Sequence, residues 1–128
     1  MIKGIGIDIV RIARMEQAIA RWGTPFLTRI FHPEEIAYSQ RQARPGQHFS
    51  ARFAAKEALL KSLQTGIGSG IAWREIVVRT APNGAPRLDL QGKARCIAEA
   101  RGVRQIYLSL SHDQDYAIAQ VILEGENR

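Results

Sequence analysis

The sequence predicts an α+β fold, an antiparallel sheet packed with helices. Two observations carry this expectation. Period-two and helical hydrophobic patterns come in blocks along the chain, not in strict strand–helix–strand alternation. The chain also closes on two strand patterns joined by a short polar turn, the mark of a hairpin. With 128 residues and no repeat, low-complexity stretch or linker, a single domain over 1–128 is expected.

Residues 2–10 open the chain as a strand. Ile5, Ile7 and Ile9 fall on one face, and Gly4, Gly6 and Asp8 on the other. The glycine face lacks side chains, so another group can approach it closely. From 11 to 22 the period becomes helical. Ile12, Met15, Ile19 and Trp22 make an apolar stripe, with Arg11, Arg14 and Arg21 in a basic stripe beside it. His32-Pro33-Glu34-Glu35 reads as a helix start, with proline in the first turn and acids near the positive end of the dipole. That helix should run to about Gln40. Pro45-Gly46 places 41–47 in a loop, and 49–63, rich in Ala, Leu, Lys and Glu, predicts a strong helix.

Glycines 66, 68 and 70 end it. Residues 71–79 are strand-like, Ala81-Pro82-Asn83-Gly84 supplies turn chemistry, and 87–90 is a short strand. Residues 93–101 form a helix stopped by Gly102. Residues 105–111 and 116–123 are the closing strands, joined by His112-Asp113-Gln114-Asp115.

The composition, 45% hydrophobic and 23% charged, is that of an ordinary globular protein. No apolar run approaches the roughly 20 residues a membrane-spanning helix needs, so no membrane partner is expected. The N-terminus lacks a signal-peptide layout because glycine and aspartate interrupt its apolar stretch. One cysteine, Cys96, leaves no internal disulfide and fits a reducing compartment, so a cytoplasmic location is expected. Eighteen Lys and Arg against 12 Asp and Glu give a net charge of +6, which attracts anions. Nucleic acid, a phosphorylated cofactor and an acidic protein surface all satisfy that charge.

Several residues could carry chemistry. Asp8 follows the glycine face and precedes a helix. It reads either as an acid at a helix N-terminus or as a buried carboxylate needing a cation. In Arg52-Phe53-Ala54-Ala55-Lys56-Glu57-Ala58-Leu59-Leu60-Lys61, Glu57 and Lys61 lie one turn apart, as do Arg52 and Lys56. Local pairing would account for Glu57 and Lys61. Phe53 and Leu60 lie between the two charged pairs on the helical wheel, so the four charges do not share one narrow face. Thr65-Gly66-Ile67-Gly68-Ser69-Gly70 could cradle phosphate through backbone N–H groups, but it follows a helix instead of opening one. His112 sits at the hairpin turn, and no His/Cys set has zinc spacing.

Taken in order, these pieces resemble the acyl-carrier-protein synthase branch of the 4′-phosphopantetheinyl transferases. Gly4-Ile5-Gly6-Ile7-Asp8-Ile9-Val10 is similar to the family's first signature, and Arg52-Phe53-Ala54-Ala55-Lys56-Glu57-Ala58 with Lys61 to its second. Thr65-Gly66-Ile67-Gly68, Trp73 with Glu75-Ile76, Asn83-Gly84 with Pro86, and Leu108-Ser109-Leu110-Ser111-His112-Asp113 with Tyr116-Ala117 continue the likeness nearly to the end. Gln64 departs from it, standing where relatives usually have glycine.

The resemblance implies transfer of 4′-phosphopantetheine from coenzyme A to a serine of apo-acyl carrier protein, in support of fatty acid biosynthesis. Asp8 and Glu57 would be Mg²⁺ ligands, with Lys61 near the pyrophosphate. Arg52, Asn83, Pro86 and His112 would line the coenzyme A nucleotide site, and Arg14 and Arg21 would dock the acidic carrier. The resemblance also implies the family's fold and a homotrimer with active sites between subunits. It leaves no role for nucleic acid. A basic nucleic-acid-binding α+β domain is the rival reading, and it predicts salt-sensitive binding with no need for Asp8. On that rival, Phe49, Phe53 and Tyr107 would form a stacking platform; they read more readily as core.

Overall fold

A computed structural model describes residues 1–65 and 70–126, so the interior of the glycine-rich segment, 66–69, lies outside the described residues. The elements run β1 (Ile2–Arg11), α1 (Ile12–Ile30), α2 (Pro33–Gln40), α3 (Pro45–Ser62), β2 (Ile76–Thr80), β3 (Pro86–Leu90), α4 (Gly92–Ala100), β4 (Val103–His112) and β5 (Tyr116–Gly125), with a 3-10 turn at Trp73–Glu75 before β2. Helices and antiparallel sheets make the fold α+β, as the block pattern predicts. One sheet has the order β1-β5-β4 and the other pairs β2 with β3.

Helix α3 is the hub. Ala54, Ala55, Ala58 and Leu59 are fully buried, as expected of a helix covered on most sides. It packs on the inner face of the larger sheet, with Ala119, Val121 and Leu123 of β5, and also meets Ile76 and Val78 of β2 and Ala94 of α4 in one core cluster. The bare face of β1 makes this possible. A Cβ at Gly4 would collide with the Ser62 carbonyl, and one at Gly6 with the Ala58 carbonyl, so only glycine admits α3 at this separation. Among the described residues nothing covers the opposite face of β1: Ile5, Ile7 and Ile9 are each more than half exposed.

Three local expectations need correction. Helix α3 starts at Pro45, within the segment read as a loop, because proline is well placed in a first helical turn where its missing N–H costs nothing. Trp22 does not continue the buried stripe of α1 and is 57% exposed. The chain kinks at Gly23 (φ +63°), and Leu27 and Ile30 from the following segment fill the cluster around Met15, Phe31 and Phe49 instead. Tyr107, read as core, is 51% exposed on the outward face of β4, with its hydroxyl donating to Glu124.

The helix start at His32 is as expected. His32 Nδ1 accepts from the Glu34 N–H at 3.2 Å, and Glu35 Oε1 accepts from the His32 N–H at 2.9 Å, a reciprocal cap. Gln64 has φ +55°, a left-handed conformation that explains why glycine suits this position.

Candidate functional site

The close approach of α3 to β1 places the acids. Two residues past Gly6, Asp8 is still on the inner face, opposite Ala119 of β5, where Lys61 of α3 reaches it. Asp8 and Glu57 thereby line one cleft of about 400 Å³ with Arg14, Met15, Phe26 and Phe53. Lys61 does not form its expected pair with Glu57. Its ammonium donates to Asp8 Oδ1 at 2.9 Å and to the Ile7 carbonyl at 3.0 Å.

Asp8 acts on its neighbour Glu57. Burial, and then the negative charge of Asp8, push the Glu57 carboxyl above its ordinary range, while Lys61 opposes them. Lys61 pairs with Asp8, while Glu57 has no ion pair among the described residues. Among the described residues no third His, Cys, Asp or Glu joins them. Two carboxylates with no soft ligand suit a hard divalent cation that completes its shell with phosphate and water, which is Mg²⁺ chemistry and not that of zinc.

The other residues singled out in the sequence lie apart from this pair. Arg14 lines the cleft, whereas Arg21 is further along α1, its guanidinium carbon 4.8 Å from the centroid of the exposed Trp22 ring. Arg52 lines a second cavity of about 420 Å³ with Tyr38, Arg41 and Arg79. His112 ends β4, opposite Ala117. Asn83 is exposed in the β2–β3 turn, its Oδ1 accepting from the Ala85 N–H at 3.0 Å, and Pro86 opens β3. Neither Asn83 nor Pro86 lines either cavity. One chain therefore brings together Asp8, Glu57, Lys61 and Arg14, and does not gather Arg52, His112, Asn83 and Pro86 around them.

Sequence reasoning missed the internal support of α3. Lys56 and Glu35 are both buried and pair at 2.7 Å. The Lys56 ammonium also donates to the carbonyls of Trp73 and Ile76, and Glu35 Oε2 accepts from the Val78 N–H at 2.9 Å. Burial lowers the Lys56 pKa and Glu35 opposes that shift. All three ammonium donors are used, so the pair is internally satisfied. It ties α2, α3 and β2 together directly beside Glu57. Only the placement of acids in the first turn of α2 hinted at Glu35, and that signal pointed to the dipole.

Comparison with known proteins gives a consistent result. The family model for the 4′-phosphopantetheinyl transferase superfamily matches residues 4–121. A holo-[acyl-carrier-protein] synthase of Syntrophus aciditrophicus is 50% identical over 125 residues, 98% of each chain. One from Koribacter versatilis is 47% identical over 124 residues, 97% of this chain and 99% of that protein. The crystal structure of the Neisseria meningitidis holo-[acyl-carrier-protein] synthase superposes with a TM-score of 0.88 at 34% identity, covering 97% of this chain and 99% of the other. The Helicobacter pylori synthase, solved in complex with coenzyme A, gives 0.83 at 34% identity, covering 94% and 99%.

Proposed function

The chain belongs to the 4′-phosphopantetheinyl transferase superfamily and is an enzyme of its holo-[acyl-carrier-protein] synthase branch, and from this premise we propose how its residues act. The reaction is attack of a serine hydroxyl of apo-acyl carrier protein on the β-phosphate of coenzyme A. The serine gains the 4′-phosphopantetheinyl group, and adenosine 3′,5′-bisphosphate leaves. The whole chain acts as one transferase domain in the cytoplasm, and its product serves fatty acid biosynthesis.

The observation that carries this reading is the convergence of Asp8 and Glu57 in one cleft with Lys61 beside them. Asp8 and Glu57 would hold Mg²⁺, which supplies charge neutralisation for a diphosphate. Lys61, already anchored on Asp8 and the Ile7 carbonyl, presents its ammonium to the leaving bisphosphate. Arg14 at the cleft wall and Arg21 further along α1 dock the acidic carrier so that its serine enters the cleft.

Arg52, Asn83, Pro86 and His112 bind the nucleotide. Their separation from the acids within one chain favours a homotrimer, in which the nucleotide-binding residues of one subunit adjoin the acidic cleft of the next. The exposed Ile5, Ile7 and Ile9 supply an apolar surface for that assembly.

Mass spectrometry of the carrier provides the test. The carrier should gain the mass of one phosphopantetheine when coenzyme A and Mg²⁺ are present, and should gain nothing with EDTA. Asp8→Ala and Glu57→Ala should each abolish the gain while keeping the parent circular-dichroism spectrum. Full activity in either variant would overturn the metal assignment.

A further inference from the structure

His48, on α3 one turn before Arg52, has no role so far. Its ring centroid is 5.9 Å from that of Tyr38 on α2 and 6.1 Å from that of His112 at the end of β4. The guanidinium carbon of Arg52 lies 4.2 Å from the Tyr38 ring centroid. Arg52 is only 5% exposed, yet its Nε has no hydrogen-bond partner among the described residues. A buried guanidinium with an unused donor is set up to receive an anion.

The charges around His48 do not cancel this preference. At the N-cap of its helix, Arg44 is held by Glu16 at 3.1 and 3.2 Å, while Arg52 has no ion pair among the described residues. From α2 come Tyr38 and Glu35, the latter committed to Lys56. From the β4–β5 hairpin come His112 and Asp113, and Asp113 Oδ1 already accepts the N–H groups of Asp115 and Tyr116 at 2.7 Å each. The neighbouring carboxylates are therefore occupied, and none of them is paired with Arg52 among the described residues.

We propose that His48 is a third phosphate-binding side chain, acting with Arg52 and His112 on a phosphate monoester dianion and taking up a proton as that dianion binds. The inference rests on the reading of the chain as a coenzyme A-dependent transferase, and it assigns the dianion to the 3′-phosphate of that molecule. Burial, and then the positive charges of Arg52 and His112, hold the His48 imidazole below its ordinary value of 6.5, so it is neutral in the free site near neutral pH. A bound dianion reverses that balance, and the imidazolium then donates a charge-assisted hydrogen bond. By linkage, affinity rises as pH falls from about 8 towards about 6, where the phosphate monoester itself begins to take the proton and the gain ends.

The test is calorimetric titration near neutral pH with coenzyme A and with dephospho-coenzyme A, which lacks the 3′-phosphate. Buffers of different ionisation enthalpy report the protons taken up. The parent should take up a fraction of a proton with coenzyme A and none with dephospho-coenzyme A. His48→Phe, which keeps an aromatic ring between Tyr38 and His112, should bind coenzyme A about three- to tenfold more weakly, lose most of the uptake and bind dephospho-coenzyme A as the parent does. Unchanged uptake and affinity in His48→Phe would overturn the inference, and so would equal weakening towards both ligands, because the ring would then only pack. If neither ligand bound either protein, the coenzyme A reading would fall first and this inference with it.

Discussion

Lys61 and Lys56 lie on the same helix yet have opposite fates, and burial decides between them. Lys61 is more than half exposed and reaches across to Asp8 on β1, while Lys56 is enclosed with Glu35. An exposed pair of that kind contributes little stability and is free to serve a ligand. A buried pair is different: removing one partner strands a charge in the interior, at a cost of about 3–5 kcal/mol. Lys56→Met should therefore destabilise the protein by about that amount in urea unfolding. Lys56→Met combined with Glu35→Leu should recover much of the loss, because neither charge is then left unpaired. A double variant no more stable than the single one would show that the hydrogen bonds to Trp73, Ile76 and Val78 matter more than the pairing.

At the level of elements, the β1–α3 contact governs the site. Glycine at 4 and 6 sets the distance between strand and helix, and that distance sets where Asp8 meets Glu57 and Lys61. Gly6→Ala would force its methyl group against the Ala58 carbonyl, which backbone cannot yield without moving the helix. The expected outcome is a loss of about 1–3 kcal/mol in chemical denaturation, with transfer activity falling further than the unfolded fraction accounts for. A Gly6→Ala enzyme with parental activity would mean that the separation is not critical. The kink at Gly23 has a comparable effect on α1, turning Trp22 out to solvent beside Arg21 and sending Leu27 and Ile30 inward.

For the whole molecule, the main feature is an apolar sheet face with no cover among the described residues. Ile5, Ile7 and Ile9 stand in register with Ile122, Gln120 and Ile118 of β5, and the first of those rows extends to Tyr107 of β4. An uncovered surface of this kind favours association. Sedimentation should show a trimer for the parent. Ile7→Lys should shift it to monomer and lose transfer activity together with assembly, while Asp8 and Lys61 remain paired within each chain. A fully active monomer would contradict the shared-site arrangement. Among the described residues no helix is long and apolar enough to cross a membrane.

By itself the sequence determined the α+β class, the closing hairpin, the helix start at His32 and the bare face of β1, and it singled out Asp8, Glu57 and Lys61. These features are written in short-range pattern: strand period, cap chemistry and a motif of neighbouring residues. Only the tertiary structure decided that Lys61 pairs with Asp8 instead of Glu57, that Lys56 is buried on Glu35, and that the His48 ring lies edge-on to Tyr38 and tilted against His112. It also decided which face of β1 is covered. Periodicity separates the two faces of a strand but does not say which one a helix will occupy. Here the glycine face is covered because only there can α3 come close, and the isoleucines are left facing outward.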